Sequence, residues 1–237
     1  MRPFSIIIPV YNEQDIMVQN TESLIAHLKG LYESFEIIIG SNGSRDYTPL
    51  LGERLAGQYP MVRFFHVAQR GVGHAFRQGV RLARHDFIVS LDMDLSVELG
   101  FIERALKLLD EGHEIVVGSK RMGHQRRSPF RLMGSGLFIL CARFLLDLAF
   151  EDYSIGAKAY RRSVLLGHLD RINHGTSYVI DMIALVHRDG GRIIEIPVWC
   201  EDFRASKFNI VHEGVYRYAH LLRLWWGLRR CPFPRYF

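Results

Sequence analysis

Two aspartates that are separated by one residue follow an apolar run in the segment VSLDMDLS, residues 89–96. On an extended backbone, the side chains of Asp92 and Asp94 point to the same side, about 6.5–7 Å apart. Two carboxylates at the end of a strand suit Mg²⁺ or Mn²⁺, which complete their coordination shells with phosphate oxygens or water. The same residues also suit a strand end followed by a turn, so this pair alone leaves both interpretations open.

A glycine-rich segment, RGVGHAFRQG at residues 70–79, has a pattern that favours phosphate binding. Gly71 and Gly73 permit a tight turn into the start of a helix, where free N–H groups attract an anion. The lysine of the nucleotide-binding P-loop is absent, so turn formation alone explains the segment equally well. A basic run follows later in the chain and consists of Lys120, Arg121, Arg126, Arg127 and Arg131; by itself it also suits a solvated loop.

The elements that must position these residues alternate along the first half of the chain. Short, continuous apolar runs predict buried strands at residues 4–10, 35–40, 61–67, 86–92 and 114–119. The stretches between them predict helices at residues 14–29, 46–57, 74–84 and 98–110. Alternating units of this length predict an α/β fold with a parallel sheet covered by helices.

In such a sheet, ligands bind beyond the carboxyl ends of the strands. Four polar segments fall at such ends: PVYNE (9–13), SNGS (41–44), RGVG (70–73) and DMD (92–94). We therefore expect these four segments, although far apart in sequence, to share one rim of the sheet and to form one site.

The second half of the chain is less regular, with strands predicted at 155–160 and 191–200 and helices at 132–150, 175–188 and 208–229. The 132–150 segment is nearly long enough to span a bilayer. However, Arg143 and Asp147 each cost roughly 2.5–3.5 kcal/mol at a bilayer centre. Their spacing would let them pair on a helix, so we expect a helix on the protein or at a membrane surface. The last helix carries Trp225, Trp226 and several arginines, which suits either a membrane interface or a tail packed on the domain.

The composition favours an anionic partner, because the net charge is +5 and the isoelectric point about 9.2. Nucleic acid, acidic lipid and a phosphorylated substrate all fit this charge. The three cysteines are widely spaced, which indicates a reducing compartment. The amino-terminal residues do not have the pattern of a signal peptide, so we expect a cytoplasmic protein.

Taken together, these segments resemble the family 2 glycosyltransferases of the GT-A fold, and among them the dolichol-phosphate mannose synthase-like group. The resemblance covers about residues 4–207 and implies a Rossmann-like, mostly parallel sheet. It implies a nucleotide-sugar half (1–119), an acceptor half (120–207) and a basic amphipathic helix with a tail (208–237). The matching segments are IIIPVYNE (6–13), EIIIGSNGSRDYT (36–48), RGVGHAFRQG (70–79), LDMDLS (91–96), GSKR (118–121), RLMGS (131–135), EDYSIGAKAYRR (151–162), and RIIEIPV with the later SK (192–198 and 206–207).

The resemblance implies an inverting, metal-dependent transfer of a hexose such as mannose or glucose. The donor would be a GDP- or UDP-linked sugar, and the acceptor a dolichyl or undecaprenyl phosphate. Asp92 and Asp94 would bind Mg²⁺ or Mn²⁺ and act in catalysis together with Arg131. The implied acceptor-phosphate residues are Lys120, Arg131 and Ser135. The implied nucleotide-binding residues are Pro9, Tyr11, Glu13, Ser41, Asn42, Gly71, Gly73, Asp92 and Lys207.

The chain departs from the family pattern at Ser41 and Asn42, where two aspartates are usual. Guanine presents neighbouring N–H donors that a carboxylate receives well, so this departure argues against GDP and leaves UDP open. Gly136 stands where an arginine commonly follows the serine. A glycan or other non-lipid acceptor, or a non-catalytic nucleotide-sugar binder, are the alternatives. We expect no nucleic-acid binding, because no known module surrounds the basic residues, and we expect peripheral binding at the cytoplasmic face of a membrane.

Overall fold

The computed structural model describes residues 2–125, 129–201 and 210–230, and within 124–133 and 210–212 the description covers the backbone alone. These residues contain one seven-stranded sheet in the order β3-β2-β1-β4-β6-β5-β7. The strands are β1 (Phe4–Val10), β2 (Phe35–Asn42), β3 (Val62–Val67), β4 (Phe87–Ser90), β5 (Ile115–Gln125), β6 (Lys158–Arg161) and β7 (Ile193–Cys200).

The strands are parallel except β6, which runs antiparallel to its neighbours β4 and β5. Eight helices flank the sheet in the described residues, with a short 3₁₀ helix at Leu169–Arg171. The predicted α/β class with a mostly parallel sheet is therefore confirmed. The helices are α1 (Met17–Lys29), α2 (Thr48–Gln58), α3 (Val72–Leu82), α4 (Gly100–Asp110), α5 (Pro129–Leu146), α6 (Arg162–His168), α7 (Tyr178–Arg188) and α8 (Ile210–Arg230).

The core lies on both faces of the sheet, which explains the continuous apolar runs in the central strands. In β1, Ile6 and Ile8 pack on the face that α1, α2 and α4 cover. Ile7 packs on the opposite face with α3, α5, α6, α7 and α8. Because consecutive strand residues point to opposite faces, a strand that is covered on both sides is apolar at most of its positions.

Three details of the sequence prediction are wrong. Strand β4 ends at Ser90 and not at residue 92. Helix α5 ends at Leu146, and Asp147 has a φ of 55°, outside the helical range. Asp147 therefore does not continue the helix, and Arg143 pairs instead with Glu151 at 3.0 Å. The prediction also lacked α6, whose seven residues are too few to show a helical period.

Helix α8 packs against the body of the domain. Leu221 is buried in the core cluster of α5, α6 and α7, and Tyr218 and Leu224 pack against the same cluster. Trp226, by contrast, is half exposed. Among the helices in the described parts of the chain, none is long and apolar enough to cross a membrane.

Candidate functional site

The carboxyl ends of the parallel strands meet at one edge of the sheet, as the sequence predicted. Val10, the last residue of β1, pairs with Ser41 of β2. Asn42, the last residue of β2, pairs with Val67, the last residue of β3. Strand β4 lies on the other side of β1 from β2, so the connection from β3 to β4 crosses back past β1 and the strand order reverses between β1 and β4. A reversal of this kind opens a crevice for a ligand in α/β folds.

Asp92 and Asp94 lie at this edge, in a turn and not on an extended strand. The N–H of Leu95 donates to the carbonyl of Asp92 at 3.1 Å, and Leu95 has a φ of 50°. The same-side argument from an extended backbone is therefore wrong. The turn nevertheless leaves Asp94 near enough for its negative charge to help raise the pKa of Asp92.

The side chain of Asp92 is exposed to solvent, although protein atoms surround its carboxylate closely enough to perturb its pKa. Burial, followed by the charge of Asp94, raises the pKa of Asp92, and Lys158 and Lys120 act in the opposite direction. The N–H of Gly156 donates to Asp92 Oδ2 at 3.2 Å. A Cβ at Gly156 would lie 2.3 Å from the same oxygen, so the backbone approaches Asp92 as closely as only glycine permits.

A cluster of two lysines and one aspartate stands behind Asp92. Lys120 Nζ lies 3.5 Å from Asp152 Oδ2 and donates to Ser154 Oγ at 3.2 Å. Lys158 is fully buried and donates to the carbonyl of Ile155. Burial lowers the pKa of Lys158 to about 8, although Asp152 and Asp92 both favour its charged form. The pKa of Asp152 is lowered, because Lys120 and Lys158 outweigh the effect of its burial.

Asp152 and Lys158 belong to the site although they were not predicted from the sequence. Their contacts depend on β6, whose first residue, Lys158, pairs with Ser90 of β4 and with Val117 of β5. An antiparallel strand that begins at this edge brings its amino-terminal residues to the carboxyl ends of its neighbours. The available signal was a lysine within the otherwise apolar segment IGAKAY (155–160), since a buried charge is rare unless it is paired.

The two aspartates suit a divalent cation whose remaining ligands come from elsewhere. No group of three or more His, Cys, Asp or Glu side chains that could hold a metal occurs in the described parts of the chain. Mg²⁺ is commonly bound by one or two carboxylates together with substrate phosphates and water. A bound cation would also offset the burial and the repulsion that raise the pKa of Asp92. The donor set therefore fits Mg²⁺ or Mn²⁺ bound jointly with a diphosphate.

The segment after β1 is fastened to the segment after β2. Pro9 pairs in register with Gly40, and Tyr11 lies under the guanidinium of Arg70, 4.2 Å from the ring centroid. The structure thus brings Tyr11 to the glycine-rich segment, whereas Pro9 and Glu13 contact β2 and the residues that follow it. Three hydrogen bonds join the loops: Asn12 N–H to Ser44 Oγ (3.0 Å), Glu13 N–H to Thr48 Oγ1 (2.8 Å) and Gln14 N–H to Asp46 Oδ2 (3.3 Å).

Ser41 and Asn42 are buried, and their polar groups are engaged within the protein. The Ser41 hydroxyl lies 3.0 Å from Ser44 Oγ and 3.0 Å from His66 Nδ1. Asn42 Nδ2 donates to the Val10 carbonyl at 2.7 Å, and Asn42 Oδ1 accepts from the N–H of Gly71 at 3.1 Å. Asn42 therefore joins the ends of β1 and β2 to the glycine-rich segment.

Gly71 and Gly73 have a packing reason to be glycine, besides any role toward phosphate. A Cβ at Gly71 would lie 2.7 Å from the carbonyl oxygen of His174, and a Cβ at Gly73 only 2.2 Å from that of Asn173. The N–H of His74, in the first turn of α3, donates to the His174 carbonyl at 3.0 Å. One of the N–H groups at this helix start is thus already satisfied by the protein.

The acceptor-phosphate residues of the sequence prediction are described in part. Lys120 lies on β5 and is 5% exposed, so it is a buried, paired charge and not part of a solvated loop. Arg121 lies 3.5 Å from Glu151. Ser135 is half-buried on α5. The backbone of Arg131 also lies on α5, but the side chain of Arg131 and the whole of Arg126, Arg127 and Lys207 fall outside the described residues.

The sequence of this chain is similar to those of enzymes named for transfer to polyprenyl phosphates. Polyprenol monophosphomannose synthase of Mycolicibacterium smegmatis is 28% identical over 240 residues, which cover 94% of this chain and 86% of the relative. Undecaprenyl-phosphate 4-deoxy-4-formamido-L-arabinose transferase of Pseudomonas fluorescens is 31% identical over 172 residues, 70% of this chain. The chain spans 50% of the length of the Pseudomonas relative and 38% of that of another.

The fold matches that of a solved GT-A enzyme. Mycobacterium tuberculosis glucosyl-3-phosphoglycerate synthase, in complex with Mn²⁺, UDP-glucose and phosphoglyceric acid, superposes with a TM-score of 0.65 at 18% identity, over 98% of this chain and 81% of that one. This likeness confirms the predicted GT-A fold. The family model described as Glycosyl transferase family 2 matches residues 5–168, which include both rim aspartates and the lysine–aspartate cluster. The chain therefore belongs to glycosyl transferase family 2.

Proposed function

We propose that this protein transfers a hexose from a nucleoside diphosphate sugar to a polyprenyl phosphate at a membrane surface, with inversion at the anomeric carbon. The observation that carries the proposal is the position of the Asp92–Asp94 turn. On one side of this turn are the loops at the ends of β1 and β2, which we expect to bind the nucleoside. On its other side is the buried cluster of Lys120, Asp152 and Lys158. Anionic donor, cation and anionic acceptor would meet at this turn.

The leaving group of such a transfer is a nucleoside diphosphate, on which negative charge builds as the glycosidic bond breaks. A divalent cation, when bound, neutralises that charge as a Lewis acid. Asp92 and Asp94 would hold the cation, and the N–H of Gly156 fixes the orientation of Asp92. Lys120 and Lys158 add fixed positive charge behind Asp92, in a site where electrostatic interactions are stronger than in water.

The acceptor phosphate is already an anion near neutral pH, so it needs positioning and charge neutralisation more than a strong general base. Arg131 and Ser135, both predicted to contact this phosphate, lie on α5. The same helix presents an apolar stripe that faces away from the core. Leu137, Leu140 and Phe144, spaced three and four residues apart, are 56%, 61% and 88% exposed.

This stripe, together with the half-exposed Trp226 of α8, gives the acceptor side of the site a surface that suits lipid. Aromatic and aliphatic side chains next to arginines are typical of helices that lie in a membrane interface. Arg229 and Arg230 stack on Trp225 and Trp226. A protein lying on the membrane surface through α5 and α8 would therefore contact the prenyl chain and bind its phosphate at the site at the same time.

We favour a uridine donor over a guanosine donor. Neither Ser41 nor Asn42 supplies a carboxylate, and both side chains are engaged with other protein groups. The paired N–H donors of guanine would therefore lack their best acceptor at these two positions. The solved enzyme of similar fold was crystallised with UDP-glucose and Mn²⁺, and two relatives are named for transfer to polyprenyl phosphates. The solved enzyme supports the proposed donor and metal, and the two relatives support the proposed acceptor.

The test is a panel of radiolabelled UDP- and GDP-sugars with a short polyprenyl phosphate, assayed with Mn²⁺, with Mg²⁺ and with EDTA. The proposal predicts metal-dependent label in the organic phase, with the largest yield from a UDP-sugar. Label transferred only to a soluble phosphorylated acceptor would mean a non-lipid substrate. No transfer from any donor, together with measurable nucleotide binding, would mean a non-catalytic binder and would refute the proposed activity.

A further inference from the structure

The loop between the 3₁₀ helix and α7, residues 172–177, lies directly on the glycine-rich segment. The Cβ positions of Gly71 and Gly73 would collide with the carbonyls of His174, Asn173 and Gly175, at 2.7, 2.2 and 2.9 Å. The hydrogen bond from His74 N–H to the His174 carbonyl joins the two segments at 3.0 Å. The two backbones are in direct contact here, so the position of loop 172–177 limits the positions that the start of α3 can take.

Loop 172–177 is held in place from its other side by a buried polar network. Asp181 of α7, which is 1% exposed, accepts the N–H of Asn173 at 2.6 Å. The other oxygen of Asp181 lies 2.5 Å from His220 Nε2. Asn173 Oδ1 accepts from the N–H of Gly175 at 2.5 Å.

Helix α8 supplies three of the contacts that fix this loop. His220 contacts Asp181 as described, and the Tyr216 hydroxyl donates to Asn173 Oδ1 at 2.5 Å. Thr176 and Glu213 form the third contact, a hydrogen bond between their side chains. A Cβ at Gly175 would lie 2.6 Å from the Tyr216 hydroxyl oxygen, so α8 and the loop also fit closely at this point.

We propose that Tyr216 of α8, acting through Asn173 and loop 172–177, is a positioning residue for the donor-binding segment at Gly71–Gly73. The inference rests on the proposed function, because it takes Gly71–Gly73 as part of the nucleotide-sugar site. It assigns a donor-side role to α8, which follows the segment that the family model matches. The donor site is then built from three distant parts of the chain: the β2 end through Asn42, the start of α3, and α8.

The contacts of Gly71 show how the effect would reach the nucleotide. Its N–H donates to Asn42 Oδ1, and its Cα faces the His174 carbonyl. Gly71 is thus held between the end of β2 and loop 172–177. When the loop loses one of the hydrogen bonds that fix it, Gly71 gains conformational freedom. Nucleotide binding must then restrict this freedom, which lowers the affinity for the nucleotide.

The test compares Tyr216→Phe with a matched control, Tyr218→Phe. Both changes remove one hydroxyl from the same helix, and within the described residues the Tyr218 hydroxyl has no hydrogen-bond partner. Isothermal titration with UDP and with GDP, in the presence of Mn²⁺, measures nucleotide affinity. Amide hydrogen exchange of a peptide that covers residues 70–76 reports directly on the segment.

A net hydrogen-bond contribution of about 1 kcal/mol corresponds to roughly a fivefold effect. We therefore expect Tyr216→Phe to weaken nucleotide binding about 3- to 10-fold and to speed exchange in residues 70–76 by a similar factor. Tyr218→Phe should match the wild type in both measurements. The KM for the donor should rise in Tyr216→Phe, while kcat and the KM for the acceptor stay within about twofold, because a positioning residue on the donor side touches neither.

Unchanged affinity and unchanged exchange in Tyr216→Phe, with a wild type that binds nucleotide, overturn the inference and leave the proposed function intact. A wild type that binds neither UDP nor GDP overturns the proposed function instead. If Tyr216→Phe does not fold, Thr176→Val, which removes the separate contact with Glu213, gives the same comparison. If that variant binds nucleotide as tightly as the wild type, the inference is likewise wrong.

Discussion

Gly156→Ala displaces the carboxylate of Asp92 without replacing Asp92 itself. An added Cβ would lie 2.3 Å from Asp92 Oδ2 and 2.4 Å from Oδ1. The backbone of Gly156 is outside the left-handed region, which among the described glycines holds Gly43, Gly112 and Gly190. Alanine is therefore compatible with the backbone at position 156, and the three atoms nearest to its Cβ all belong to the Asp92 side chain.

The required displacement follows from these distances. A carbon and an oxygen that are not bonded pack at about 3.3 Å or more, so the carboxylate of Asp92 must move by about 1 Å. A misplacement of this size at a reacting centre costs on the order of 100-fold in rate. Since Asp92 is open to solvent, its rotation leaves the core intact, and we expect little change in the melting temperature.

The assay is metal-dependent transfer to polyprenyl phosphate, measured as kcat/KM, together with a thermal melt. Gly167→Ala is the control, because nothing lies within 4 Å of the added Cβ. We expect Gly156→Ala to lower kcat/KM about 100-fold and Gly167→Ala to leave it unchanged. Activity of Gly156→Ala within about threefold of the wild type would refute the reasoning that the position of Asp92 is critical.

Three further predictions follow from the charges and surfaces of the molecule. In the folded state the pKa of Lys158 is lowered to about 8 from 10.5, so the unfolded chain binds the proton more tightly. The free energy of unfolding should therefore rise between pH 8 and 10.5, by about 3 kcal/mol. Chemical denaturation of Lys158→Met should not show this rise. Phe144→Glu should reduce co-sedimentation of the protein with anionic liposomes at low salt at least about threefold. Leu31→Glu, which also changes an exposed residue, should not reduce it. Equal binding by both variants would exclude α5 as the contact surface. Calorimetry should give tighter binding of UDP than of GDP, and clearly tighter GDP would remove the argument from Asn42.

Much of the fold could be predicted because each central strand has a recognisable pattern in its own local sequence. A run such as FSIIIPV, in which only Ser5 is polar, is typical of a strand that is covered on both faces. The end of β4 was predicted wrongly because DMD continues the alternation of a strand. Leu95, with its φ of 50°, decides that the chain turns there, and nothing in the local sequence forces that conformation.

The candidate site could be predicted only where it follows directly from strand order. The segments that hold Asn42 and Asp92 share one rim because each follows a parallel strand. Lys158 and Asp152 join the site through an antiparallel strand whose pairing is not local. Tyr216 is more remote still, since it reaches the rim through loop 172–177, and contacts of this kind leave no periodic signal in a sequence.

The central claim is that Asp92 and Asp94 hold a divalent cation together with the diphosphate of the donor. The most direct measurement is Mn²⁺ binding, followed by electron paramagnetic resonance with and without UDP, in the wild type and in Asp94→Asn. We predict tight Mn²⁺ binding to the wild type only when UDP is present, and at least about a tenfold loss in Asp94→Asn with an unchanged melting temperature. Equal Mn²⁺ affinity in the two proteins would contradict the claim.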